Sequence, residues 1–163
     1  MKKLITGTAL AAILGSSAFA AGDLHLGASS VEAMGESGTE ISVGYGFDNQ
    51  DKKETGLYFG GSIDYGIADI KGEDLGSFTA DLKLGYMPIN NLAVYGIGSV
   101  AIQSYDSVNA YGFGYGAGVD YKINDSFAVA AEYKMYTMTP DVDGYAGVDY
   151  DYDKMGVNLK YTF

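Results

Sequence analysis

The sequence predicts an all-β protein, an eight-stranded antiparallel up-and-down β-barrel that crosses a membrane. Three observations predict it. Apolar and polar residues alternate in run after run of the chain. The runs are longer than the about 5–6 residues usual for strands in soluble sheets, and they suit tilted membrane-crossing strands of about 9–11 residues. The polar parity carries many of the 24 glycines, a composition that suits a crowded interior better than a solvated face.

The elements follow in chain order. Lys2 and Lys3 precede a small apolar stretch, Leu4 to Leu14, and Ala18-Phe19-Ala20 fits a small-residue cleavage site. Residues 1–20 are therefore expected to be an export signal, and 21–163 a single barrel domain. Loss of Lys2 and Lys3 takes the formal charge from −11 to −13. That charge argues against a nucleic-acid partner, whose phosphates require basic surface.

Strands are expected near 22–32, 39–48, 55–67, 76–87, 91–103, 109–122, 126–137 and 151–163. In the first, Leu24, Leu26 and Ala28 oppose Asp23, His25 and Gly27. In the second, Ile41, Val43, Tyr45 and Phe47 share one parity, and in the third Leu57, Phe59, Ile63, Tyr65 and Ile67 do. The fourth sets Phe78, Ala80, Leu82, Leu84 and Tyr86 against Thr79, Asp81, Lys83 and Gly85. The fifth is apolar on both parities, with Leu92, Val94, Val100 and Ile102 assigned to the apolar face. The sixth opposes Phe113, Tyr115, Ala117, Val119 and Tyr121 to four consecutive same-side glycines, Gly112, Gly114, Gly116 and Gly118. The seventh opposes Phe127, Val129, Ala131, Tyr133 and Met135 to Glu132 and Lys134, and the last carries Met155, Val157, Leu159, Tyr161 and Phe163 on one side. Between strands, 87–91 and 123–126 read as short turns. Residues 66–76, 103–112 and 137–150 read as longer, more acidic outer loops, with 48–55 an exception at the other end.

Alternation alone does not say which way the apolar face points, since a soluble barrel puts it inside and a membrane barrel outside. The glycine run favours lipid outside, because glycine on a solvent face weakens a strand without a compensating gain. So do the aromatic strand ends, Tyr65, Phe78, Tyr86, Phe113, Tyr121, Phe127, Tyr161 and Phe163, which match the girdles at the two membrane interfaces. The polar parity then faces the lumen. Its charges, Asp64, Asp81, Lys83, Asp120, Glu132, Lys134 and Lys160, are expected to form a paired interior network, because unpaired buried charge is costly.

The stretch YGFGYGAGVDYKINDSFAVAAEYKMY (111–136) and the terminal GVNLKYTF resemble the small eight-stranded outer-membrane barrels of the OmpA/OmpX type. The resemblance implies a bacterial outer-membrane location. It implies outer-membrane lipid and lipopolysaccharide as surroundings, with periplasmic chaperones and the barrel-assembly machinery as partners during biogenesis. Val157, Leu159, Tyr161 and Phe163 would form the signal that this machinery reads, and Glu132 falls where the family often keeps an interior acid. A peptidoglycan-binding domain does not follow the barrel here, so cell-wall anchoring is not expected.

Function is expected to be structural, or surface contact through the outer loops. One alternative is a narrow pore gated by the interior charges. Another is divalent-cation or surface-ligand binding by the acidic stretch holding Asp141, Asp143, Asp149, Asp151 and Asp153. Zero cysteines and a single histidine leave no cofactor or thiolate metal site to expect. An enzyme acting on lipid A would use a histidine near the outer leaflet. His25 lies at the periplasmic start of the first strand and is expected to be interior or interfacial.

Overall fold

The computed structural model describes residues 22–50, 55–105, 108–142, 145–146 and 149–163. The expected export signal lies outside the described residues. The strands are β1 (Asp23–Ala33), β2 (Glu36–Asp48), β3 (Gly56–Ile70), β4 (Glu73–Ile89), β5 (Leu92–Tyr105), β6 (Val108–Lys122), β7 (Phe127–Val142), β8 (Tyr145–Ala146) and β9 (Tyr150–Thr162). Each long strand pairs antiparallel with the next, and β9 pairs with both β7 and β1. Eight long strands thus close a ring, as the alternation predicts, and closure leaves no backbone edge to face lipid. The two-residue β8 adds only to the end of β7.

Both ends of the barrel sequence, Asp23 and Thr162, are paired at one rim, here the terminal end. The opposite rim is the far end. The expected contrast between short and long connections does not hold. Residues 66–76 and 103–112, read as outer loops, are mostly strand: β3 runs to Ile70 and β4 starts at Glu73, while β5 runs to Tyr105 and β6 starts at Val108. The far-end turns Met34-Gly35 and Lys71-Gly72 hold two residues each, with φ of 52° and 80°, and of 56° and 81°. Positive φ at both positions is the hairpin geometry whose twist matches the flanking strands, so pairing continues to the turn. Acidic residues outside the apolar belt end the hydrophobic signal but not the hydrogen-bonded ladder. The longest connection between ring strands at the terminal end joins Asp48 to Gly56, the exception noted from sequence.

The apolar parity faces outward. Leu82 and Phe113 are 74% and 79% exposed, and Leu26, Ile41, Leu57, Leu84 and Leu159 stand out beside them. Exposed aliphatics on this scale are normal only where hydrocarbon is the solvent. Tyr86, Tyr121, Phe127, Tyr161 and Phe163 ring the terminal end, with Phe127 and Tyr161 rings 5.3 Å apart. Phe78, Phe113, Tyr111 and Tyr115 stand outward toward the far end.

In the ambiguous fifth strand, Val94, Val100 and Ile102 face out as assigned, and Ala93, Tyr95, Ile97, Ala101 and Gln103 face in. The glycines of β6 face in and make room. A Cβ on Gly112 would sit 2.3 Å from Met138 Sδ, and one on Gly114 would sit 2.4 Å from the Tyr136 ring.

Candidate functional site

Inward parity brings the barrel's chemistry into the lumen, where it forms three linked layers. Nearest the terminal end, Lys160 reaches from β9 to Asp120 on β6 (2.8 Å), Asp48 on β2 (2.7 Å) and Asp23 on β1 (3.4 Å). His25 joins this layer to the next. Its Nδ1 lies 2.9 Å from Asp23 Oδ1 and its Nε2 2.7 Å from Asp64 Oδ1. That bridge needs both ring nitrogens to donate when both carboxylates are ionised.

In the centre, Lys83 donates to Glu132 Oε1 (2.6 Å), and Lys134 lies 3.0 Å from Glu132 Oε2 and also donates to Asp81. The Tyr95 hydroxyl donates to Glu132 (2.9 Å), and Ser99 donates to Asp81 (2.5 Å) while lying 3.1 Å from the Tyr136 hydroxyl. Above them, Glu40 accepts from Lys154, from the Ser77 hydroxyl (2.8 Å) and from the Tyr152 hydroxyl (3.0 Å).

These contacts cross the lumen. Lys134 and Glu132 stand on β7 and meet Asp81 and Lys83 on β4, three strands away round the ring. Glu132, Lys134 and Asp81 each keep more than one partner, which offsets the cost of burying them.

Apolar side chains pack against both sides of the charged layers. Toward the far end, Val31, Ala68, Leu75, Ala101, Ala110, Tyr136, Met138 and Tyr152 form one cluster. Toward the terminal end, Tyr58, Met87, Ala93, Tyr95 and Ile97 form another, with Tyr58 and Tyr95 stacked at 5.0 Å. The arrangement can bind strand to strand across the lumen, as side chains do in a barrel of this strand number.

All seven charges named from sequence, Asp64, Asp81, Lys83, Asp120, Glu132, Lys134 and Lys160, lie inside and contact at least one oppositely charged partner. Sequence reasoning did not place Asp23, Glu40, Asp48 and Lys154 among them. Parity was the available signal, since Glu40 shares it with Ser42 and Gly44, and Lys154 with Lys160. Tyr136 and Tyr152 were also missed, because tyrosine was read mainly as girdle. Val157, Leu159 and Tyr161 face outward along β9, pairing across the seam as Ala28–Val157, Leu26–Leu159 and Leu24–Tyr161, and Phe163, just past the strand, is exposed as well.

Of the acidic stretch, Asp141, Asp149, Asp151 and Asp153 are described, Asp143 lies outside the described residues, and Asp149 accepts a hydrogen bond from Thr139 (2.8 Å). Among the described residues no group of three or more acids, histidines or cysteines is placed to hold a metal ion.

A model of the outer membrane protein beta-barrel domain family matches residues 6–163. No curated protein sequence matches the chain. Among solved structures the chain is similar to Ail, the attachment invasion locus protein of Yersinia pestis. The identity is 14% and the TM-score 0.55, over 88% of this chain and 97% of that one. It is also similar to Neisserial surface protein A, at 12% identity and TM-score 0.51 over 88% and 96% of the two chains. The N-terminal β-barrel domain of Pseudomonas aeruginosa OprF is similar at 18% identity and TM-score 0.50, over 87% and 99%.

Proposed function

The chain belongs to the outer membrane protein beta-barrel domain family, and from that premise we propose that it is a non-catalytic, non-conducting barrel of the bacterial outer membrane, serving envelope structure and surface contact. The observation that carries this reading is the filled lumen. Lys83, Glu132, Lys134 and Asp81 bridge β4 to β7, and packed tyrosines lie on either side. A current-carrying path would have to break several of these pairs at once, each break leaving a buried charge unpartnered.

The termini face the periplasm in this reading, and the far end faces outward. Its exposed Glu32, Asp69, Glu73, Asp74 and Asp141 outnumber Lys71, the one exposed base there among the described residues. A rim of that charge favours cationic or divalent-bridged contacts, including those with lipopolysaccharide, over polyanionic ones. The outward apolar residues at the end of the chain, Val157, Leu159, Tyr161 and Phe163, are offered to the barrel-assembly machinery before the seam with β1 closes. Residues 1–20 would direct export.

Planar-bilayer recording tests the proposal. The intact barrel is expected to leave the bilayer at baseline conductance, and so is Glu132→Ala. Stepwise currents in the wild type that change in Glu132→Ala would replace this reading with that of a narrow pore.

A further inference from the structure

The single histidine of the chain, His25, reaches over a whole strand to meet its partner. It stands on β1, in register with Gly44 of β2, and Gly44 is in register with Asp64 of β3. His25 Nε2 lies 2.7 Å from Asp64 Oδ1, so the contact passes over β2. Gly44 lets it pass: a Cβ there would lie 2.3 Å from His25 Nε2 and 2.6 Å from Asp64 Oδ1. On the other side of the ring, Nδ1 lies 2.9 Å from Asp23 Oδ1. A neutral imidazole has one N–H and one lone pair, so it can donate to only one of two carboxylates. The second contact would then set a lone pair against a carboxylate oxygen in a buried space.

The charges that face the ring from other strands do not relieve that conflict. Lys160 of β9, opposite His25 in register, lies 3.4 Å from Asp23 Oδ2 and is shared with Asp48 of β2 and Asp120 of β6. Lys83 of β4 lines the small void beside the ring, as Tyr58 of β3 does, and is bonded to Glu132. Lys134 of β7 is taken by Asp81 and Glu132. Asp64 is buried, and among the described residues His25 is its ion-pair partner.

We propose that Asp23, His25 and Asp64 form a proton-binding site in which the ring carries both its protons at neutral pH, and that this imidazolium ties β1 to β3 across Gly44. β1 is also the strand that closes against β9, so the tie acts beside the seam of the ring. It is present while the ring is doubly protonated. It is lost as rising pH removes the second proton and leaves Asp64 a buried carboxylate without a cation. The tie does not depend on whether the lumen passes ions.

The full barrel in phosphatidylcholine nanodiscs allows a direct test, because labelling with ¹⁵N-histidine marks one side chain. At pH 7.5 both ring nitrogens are expected to resonate as protonated. As the pH is raised and the ring gives up one proton, the β1 amides should lose roughly tenfold of their protection against hydrogen exchange, corrected for the intrinsic rate, while those of β5 keep theirs. Asp64→Asn should leave the ring singly protonated at pH 7.5, with folding checked by heat-modifiable migration in gels. A singly protonated ring in the wild type at pH 7.5 would overturn the site. So would β1 protection that ignores the ring's titration, and both readings come from the wild-type protein without any variant. A folded Asp64→Asn barrel whose ring keeps both protons would assign the second proton to Asp23 alone and overturn the tie to β3.

Discussion

The central lumen and the far mouth are built from the same inward parity of the same strands, yet they differ in chemistry. On β7, Glu132 and Lys134 enter the central charge layer, while Met138 and Pro140 line the apolar region above. On β4, Asp81 and Lys83 give way to Leu75. In the centre every charge is enclosed, so each must find a partner across the ring, and the strands are cross-linked as a result. At the mouth a side chain has solvent as an alternative, so charge moves to the rim and pairing there contributes little. Position along the strand, and not parity, therefore decides whether an acid–lysine contact holds the barrel together.

Three substitutions test that difference. The largest effect is expected for Lys134→Met, which strands Glu132 and Asp81 without a shared cation. A loss of about 3–5 kcal/mol is expected, measured by urea unfolding in lipid vesicles. A loss below about 1 kcal/mol would mean that the central pairs do not hold the ring. Next comes Gly114→Val, because even a Cβ there would lie 2.4 Å from the Tyr136 ring. Overpacking should cost about 1–3 kcal/mol. Adding Tyr136→Ala should recover part of that loss; a further drop in the double variant would place the strain elsewhere. Smallest is Lys71→Ala at the mouth, where the Lys71 and Glu36 side chains are 66% and 47% exposed despite a 2.6 Å contact. Stability should stay within about 0.5 kcal/mol of wild type, and a larger loss would erase the distinction between centre and rim.

Much of the barrel was legible beforehand, because a two-residue period is local. Phe78 to Tyr86 and Phe127 to Met135 declare their outward faces without knowledge of any partner strand. The inward location of Glu132 and Lys134 follows from the same parity. The turns were less legible. Lys71-Gly72 sits among acids and glycines that read as loop, and only its φ values of 56° and 81° reveal a tight hairpin that lets β3 and β4 pair to their ends. The fifth strand was half legible: apolar residues on both parities gave no contrast, since Ala93, Tyr95 and Ile97 pack inside the lumen while Val94 and Val100 face out.

By itself the sequence determined that strands alternate, how many there are, and which face meets lipid, since these depend on spacing along one chain. Partner choice belonged to the closed ring alone. Lys154 meets Glu40, and Lys160 meets Asp48, Asp120 and Asp23, across strands whose relative stagger is set when β9 pairs with β1. Register is a relation between strands, and no single strand carries it.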